Sequence, residues 1–229
     1  MISQAIEDYL KIIYKLAASG KKVSTSAIAK KMGVAQASVT GMLKKLADMK
    51  LLEYSPYRGV SLTEAGTKIA LETIRHHRLL ELYLKEAMGY SWDRVHDEAE
   101  HLEHHISEEF EEKMDEFLGR PTVDPHGAPI PTKDGKIRSD KFKVLSNVKP
   151  GSHAIIRRVS DDDPEKLRYL GELNLYPNTE IEVVRREPFN GPTQIKLGDK
   201  LHYLSRELCD AIYVDEINPE EDSPTSARS

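Results

Sequence analysis

Residues 119–135 read GRPTVDPHGAPIPTKDG, a stretch that no helix or strand interior accommodates. Proline has no amide hydrogen to give to a helix or a sheet ladder, and glycine holds no regular conformation, so this segment is irregular chain. It divides the sequence. Before it, apolar residues recur at helical spacing; after it, short β-type runs alternate with turns. The expected class is therefore α+β and multidomain. A chain of 229 residues can form about two or three small domains, each with its own core.

The N-terminal part resolves further. Ile6, Tyr9, Leu10, Ile13, Leu16 and Ala17 share one face of a helix over 3–18, and SGKK at 19–22 ends it. Ser24 and Ser26 are N-cap candidates for a short helix with Ile28, Ala29 and Met32 apolar. Gly33 supplies a turn, and a second helix runs from about Gln36 to Met49 with Val39, Met42, Leu43 and Leu46 inward. Helix, short turn, helix is the helix-turn-helix pattern. LLEYS at 51–55 and GVSLT at 59–63, joined by a turn at 56–59, add a wing, so 1–75 is predicted to be a winged helix-turn-helix domain.

A long helix is predicted after Thr63, its N-cap, running toward Met88 and broken by Gly89. Ser91 is placed as the cap of another, with Trp92, Val95, Ala99, Leu102 and Ile106 apolar, and a further helical stretch reaches Leu118. Residues 76–142 thus form an all-helical domain with a Pro/Gly linker from about 119. From 143 to 218, HAIIRRV, TEIEVVRR, TQIKL and AIYVDEI, with a helix near 163–173, predict a small barrel of five short strands. The tail 219–229 is polar and expected to be disordered.

The net charge of −5 conceals an asymmetry. Residues 1–75 carry 12 Lys+Arg against 6 Asp+Glu, while 76–118 carry 4 against 13 and hold six of the nine His. A basic head suits phosphate, and a block of carboxylate and imidazole suits a divalent cation. One cysteine, Cys209, excludes an internal disulfide framework and any Cys-based zinc site. No apolar run approaches a membrane span, and the N-terminus is amphipathic with acids in it rather than a signal sequence, so no membrane partner and a cytoplasmic location are expected.

In a helix-turn-helix the second helix lies in the major groove with its first turns at the base edges, here Ala35, Gln36, Ala37, Ser38 and Thr40. Gln pairs bidentately with adenine, and Ala or a Thr methyl meets the thymine methyl. Lys30, Lys31, Lys44 and Lys45 flank that helix and Arg58 sits at the wing tip, each suited to a phosphate. For metal, His77 and Glu81 stand at i, i+4, and His96, Glu100, Glu103 and His104 fall on one helical stripe. Without a cation such carboxylates would repel and raise each other's pKa. His76, His101, His105, His126, His153 and His202 are read as surface histidines.

EDYLKIIYKL (7–16), VTGMLKKL (39–46), YRGVSLTEAG (57–66), HRLLELYL (77–84), VHDEAEHLEHHIS (95–107) and DPHGAPIP (124–131) resemble the diphtheria toxin repressor / manganese transport regulator family of metal-dependent repressors over most of 3–217. The resemblance implies a winged helix that binds an inverted-repeat operator in double-stranded DNA as a homodimer, middle helices that dimerise and bind Mn(II) or Fe(II), and an SH3-like, FeoA-type barrel. It implies a primary metal site at Asp8, Glu100, Glu103 and His104. It also implies an ancillary site at His77, Glu81, His96 and Asp163, with Asp161, Asp162 and Glu165 as near alternatives, hence about two ions per subunit.

Two departures matter. The iron-selective branch has Met at the Asp8 position and Cys at the Glu100 position; carboxylates at both favour Mn(II). The short manganese regulators have Glu where this chain has Lys11, and they lack the barrel. The function expected is metal-gated transcriptional repression of metal-uptake genes, with no enzymatic activity and no small organic substrate. The rivals are a metalloenzyme, for which no HExxH pattern exists, a metal buffer, and a metal-independent winged-helix regulator with another effector.

Overall fold

The computed structural model describes residues 2–217 apart from Ser19, Lys21, residues 56–58 and Asp140. Arg58, residues 56–58 of the turn expected at 56–59 and the tail at 219–229 therefore lie outside the described residues, while Gly59 begins the second wing strand. The chain divides into two compact units. The first comprises Met1–Leu80, Ala99–Thr122 and Ile130–Arg138; the second comprises Glu81–Glu98, Val123–Pro129 and the chain from Ser139 onward.

The first unit opens with three helices, α1 (Gln4–Ala18), α2 (Thr25–Met32) and α3 (Gln36–Asp48). Ser24 caps α2, its hydroxyl accepting from Ala27 N, and Gly33 ends it with φ 69°, a left-handed turn that glycine adopts without strain. The predicted apolar faces meet: Ile6, Tyr9, Leu10, Ile13, Ile28, Val39, Leu43 and Leu46 form one core with Leu52 and Val60 of the wing. Ala17, at the frayed end of the α1 face, is exposed. Strands β1 (Leu52–Ser55) and β2 (Gly59–Leu62) pair antiparallel, Leu52 opposite Leu62 and Tyr54 opposite Val60.

Helix α4 (Glu64–Glu86) starts as expected, with the Thr63 hydroxyl accepting from Gly66 N. Gly66 lies flush on the preceding chain, where a Cβ would come within 1.9 Å of Leu51 O. Gly66→Ala is therefore expected to cost about 1–3 kcal/mol of stability in a denaturant titration, because backbone and not a flexible side chain must move.

Helices α5 (Val95–Leu102) and α6 (Glu108–Phe117) follow. Part of α4 and all of α6 are joined in the first unit by a buried ion network. Arg75 Nε donates to Glu111 Oε1 at 2.5 Å, Arg75 Nη2 lies 3.2 Å from Asp115 Oδ2, and Arg75 Nη1 donates to Pro131 O at 2.9 Å. His76 faces two acceptors, Glu103 O and Glu111 Oε2, each at 3.1 Å, which favours the doubly protonated ring. Its pKa is raised accordingly: burial alone would lower it, but the Glu111 hydrogen bond and charge outweigh that.

The His76 hydrogen bond, with the Arg75 contacts, holds the Glu111 carboxyl down at about 2 against an ordinary 4.5. A depressed carboxylate contributes stability that is present above its unfolded pKa and is lost as pH falls through the folded one. The contribution, on the order of 3 kcal/mol, should vanish between about pH 4.5 and 2. Melts of Glu111→Gln should show the protein already destabilised at neutral pH and a flatter acid limb. An acid limb as steep as the parent's would refute that assignment.

The second unit carries a six-stranded antiparallel sheet in the order β3 (Lys143–Val144), β8 (Ile212–Ile217), β4 (His153–Val159), β5 (Glu180–Arg186), β6 (Thr193–Leu197), β7 (Lys200–Leu204), with α7 (Pro164–Glu172) and α8 (Arg206–Asp210) between strands. This agrees with an SH3-like domain, with six strands where five were expected, two of them outside the four runs read from the sequence. The two-residue β3 has no periodicity to read, and β7 is a short hairpin partner of β6 through Gly198, which turns at φ 56°. Ile156, Leu167, Leu170, Val183, Ile195, Leu204 and Val214 form its core, together with Cys209 and Trp92. Trp92 was expected on a helix face. Helix α5 begins only at Val95, and the indole joins the sheet core instead. Among the described residues no helix is long and apolar enough to cross a membrane.

Candidate metal centres and nucleic-acid interface

In the first unit α1 presents Glu7, Asp8 and Lys11 toward the end of α5 and the residues after it. His104 Nδ1 pairs with Glu7 Oε2 at 2.5 Å. A carboxylate only accepts, so Nδ1 carries a hydrogen, and in the neutral ring Nε2 keeps the lone pair. That Nε2 is buried and makes no hydrogen bond, yet it lies 2.9 Å from Asp8 Oδ1 and 3.3 Å from Glu103 Oε1. Two carboxylate oxygens and a neutral imidazole nitrogen repel unless a positive charge lies among them, either a proton on the ring or a divalent ion. A histidine held through its other nitrogen by a carboxylate is also how metal-ligating imidazoles are oriented. Donor atoms of Asp8, Glu103 and His104 all fall within 4.8 Å of one another, so the residues fit a divalent ion. Burial pushes the Asp8 carboxyl above its ordinary value, against the opposing pull of His104.

Glu100, expected beside these three, is held elsewhere. Its Oε1 accepts from Lys11 Nζ at 2.6 Å. Burial would raise its pKa, but the Lys11 ammonium and His77 bring it down to about 2. His77 directs Nδ1 to Glu103 Oε2 at 2.5 Å. Glu7 was missed by sequence reasoning; its only signal is that it precedes Asp8 on an otherwise regular helix.

The second unit brings Glu81 and His96 together, Nδ1 to Oε1 at 3.1 Å, with Asp161 Oδ2 3.7 Å from the same nitrogen. Asp163, the first choice for that position, is engaged differently. It is the N-cap of α7, its Oδ1 accepting from Glu165 N at 3.0 Å and Lys166 N at 3.4 Å. Pro164 at the first helical position makes the preceding Asp the cap, which leaves Asp161 as the carboxylate facing the histidine.

A more enclosed set was not foreseen. Glu81, Asp124 and His126 are all buried, with donor atoms within 4.8 Å of one another. His126, expected at the surface, has zero exposure. Its ring stacks on Trp92 with centroids 5.7 Å apart, and Nε2 donates to Trp92 O at 2.8 Å. A carbonyl cannot donate, so Nδ1 holds the lone pair; it makes no hydrogen bond and stands 3.9 Å from Glu81 Oε2. Asp124 Oδ1 accepts from His126 N at 2.8 Å and Ala128 N at 3.0 Å, which shapes the turn. DPHG at 124–127 was the available signal, but loop residues give no spacing from which to infer a partner.

Gly127 closes this turn at φ 86°, and a Cβ there would meet Arg157 O at 1.9 Å. Gly127→Ala is expected to cost about 3 kcal/mol and to weaken metal binding at Glu81–Asp124–His126. Urea unfolding and a Mn(II) titration of the variant check both; unaltered binding would show that the turn does not position the ligands.

On α3, Ala35, Gln36, Ala37 and Ser38 are exposed while Val39 points into the core. Thr40 is half-buried, and its hydroxyl donates to Gln36 O at 3.0 Å. Lys30, Lys31, Lys44 and Lys45 are exposed around this face. The first turn of α3 thus presents exposed side chains.

Comparison with known proteins agrees with this architecture. Residues 1–60 match "Iron dependent repressor, N-terminal DNA binding domain", 63–132 match "Iron dependent repressor, metal binding and dimerisation domain", and 143–216 match the FeoA domain. The iron-dependent repressor IdeR of Mycobacterium leprae is 27% identical over 223 residues, 92% of this chain and 96% of that protein. The regulator MntR of Oceanobacillus iheyensis is 40% identical over 107 residues, 47% of this chain and 72% of that one. A solved manganese-dependent transcriptional repressor in complex with manganese superposes with TM-score 0.86 at 35% identity, covering 92% of this chain and 99% of that one. The chain belongs to the iron-dependent repressor family of metal-sensing, DNA-binding transcriptional regulators.

Proposed function

We propose that this chain is a Mn(II)-responsive repressor that binds an inverted-repeat operator as a homodimer. One ion would be held by Asp8, Glu103 and His104, with Glu7 orienting the imidazole. A second would be held by Glu81, Asp124 and His126, with His96 and Asp161 adjoining. The observation that carries this reading is the pair of buried imidazole nitrogens, His104 Nε2 and His126 Nδ1, each beside carboxylate oxygens and making no hydrogen bond. Both sets contain only oxygen and nitrogen donors, which suits Mn(II) or Fe(II) over softer ions.

A divalent ion in the first centre supplies positive charge shared between α1 and the chain after α5. The residues do the rest. Asp8 is on the first helix of the DNA-binding segment, and Glu103 and His104 follow from the dimerisation segment. Drawing Asp8 toward His104 fixes α1, and with it the α2–α3 pair packed on α1. Coupling requires that metal favour the DNA-competent arrangement, and DNA then raises metal affinity by the same factor. Gln36 is assigned to a base edge, and Lys30, Lys31, Lys44 and Lys45 to phosphates, as is Arg58.

The deciding experiment is fluorescence anisotropy on an AT-rich inverted repeat from the protein's own promoter region, at fixed salt, with chelator, Mn(II), anaerobic Fe(II) and Zn(II). Binding is expected only with metal, and the relative potency of Mn(II) and Fe(II) decides between a manganese and an iron response. Binding unaffected by chelator would overturn the reading.

A further inference from the structure

The two ligands that follow α5 stand past the end of that helix. α5 stops at Leu102, and Glu103, His104 and His105 continue as a turn, with His105 N donating to Leu102 O. The last carbonyls of a helix have no partner within it. Helical hydrogen bonds therefore do not fix Glu103 O, although the backbone at that point sets the direction of the Glu103 carboxylate and of the adjacent His104 ring.

The partner comes from α4. His76 Nδ1 donates to Glu103 O at 3.1 Å, and its Nε2 is 3.1 Å from Glu111 Oε2. The His76 side chain is only 13% exposed, and Glu111 is buried. The other oxygen of Glu111 takes Arg75 Nε, whose guanidinium also reaches Asp115 and Pro131 O. A continuous chain of contacts thus runs from α6 through α4 to the backbone of a metal ligand, all within the first unit. Arg75, His76 and Glu111 supply no atom to the donor set of Asp8, Glu103 and His104.

We propose that His76 is a positioning residue of the first metal centre: it holds Glu103 O and so aims the Glu103 carboxylate and the His104 imidazole, while Glu111 and Arg75 hold His76. α6 thereby belongs to the sensor without supplying a ligand. This rests on the reading of the Asp8–Glu103–His104 centre given above. The neighbouring His77 directs its Nδ1 to the carboxylate of the same residue, so α4 grips both the main chain and the side chain of Glu103. A ring needed only to fill space would be better replaced by an apolar one, since burying polar nitrogens costs free energy unless each is bonded.

The two ring nitrogens can be told apart by substitution. In His76→Asn the side-chain amide replaces the Nδ1 edge and can donate to Glu103 O. In His76→Gln it replaces the Nε2 edge, keeping Glu111 and leaving Glu103 O bare. The whole chain is titrated with Mn(II), the free ion being read by electron paramagnetic resonance. His76→Gln should bind at the first centre about 10–100-fold more weakly, as for loss of a group behind a ligand, and His76→Asn within about threefold of wild type. In the metal-free protein, amide exchange over Glu103–His105 should quicken in His76→Gln and not in His76→Asn. Urea unfolding gives the stability each variant loses; a role in folding alone would make Mn(II) affinity follow that stability and not the choice of amide. Wild-type affinity in His76→Gln, or affinity in His76→Asn no better than in His76→Gln, would overturn the proposal. Glu111→Gln should weaken Mn(II) binding by a smaller factor, and decides the matter if His76→Gln does not fold: unchanged affinity there would overturn it. Asp8→Ala separates the two readings. His76→Gln should cause no further loss in that background, whereas Mn(II) binding equal to wild type in Asp8→Ala alone would mean that the first centre itself is misassigned.

Discussion

Asp8→Ala should yield a folded chain whose DNA affinity no longer responds to Mn(II). The side chain is 29% exposed and packs in no core, so its removal should leave the metal-free melting curve within about 0.5 kcal/mol of the parent. The gate should nevertheless be lost. Coupling free energies between effector and ligand sites run about 1–3 kcal/mol, a 5–150-fold change in affinity. With Asp8 gone, His104 and Glu103 still offer donors, but no metal ligand from α1 joins them, and the metal-induced gain in anisotropy should shrink to less than about twofold. Undiminished stimulation of the folded variant would exclude Asp8 as the link.

The second large effect is expected at His126. A ligand that binds only the folded state stabilises by about 2.7 kcal/mol at 100 times its Kd. For a chain of this size each kcal/mol is about 2–4 °C of melting temperature, so saturating Mn(II) should raise the wild-type Tm by at least about 5 °C. His126→Ala should lose most of the part of that rise that comes from its centre. It should also melt lower without metal, because a wholly buried ring stacked on Trp92 is removed. The quantity to compare is the metal-induced increment, which packing loss alone does not change. An increment equal to wild type would remove His126 from the ligand set.

Much of the architecture could be read from periodicity. The faces of α1 and α3, the Ser24 cap and the Gly33 turn are local, and local rules found them. Glu103 and His104 could be read from the stripe they share with His96 and Glu100, whereas Asp8 was indicated only by the family resemblance. The Lys11–Glu103 pair could not be read, since 92 residues separate the partners and spacing says nothing about which helices meet. Asp124 and His126 lie in irregular chain, where the position of a side chain is set by a turn clamped onto β4, through Val159 N donating to His126 O, and not by any period. Asp161 was obscured by three consecutive aspartates. The capping preference before Pro164 distinguishes Asp163 from the others, and it was legible from the start.

The enclosure of Glu81, Asp124 and His126, against the partial exposure of Asp8, has a consequence in time. An ion held by fully enclosed ligands escapes only when the surrounding chain opens, so its residence follows the frequency of local unfolding instead of bond strength alone. At the first centre one ligand, Asp8, is 29% exposed, so an ion there would have a route out past that side chain while Glu103 and His104 stay in place. The enclosed centre would keep a record of past abundance, while the open one reports the present level.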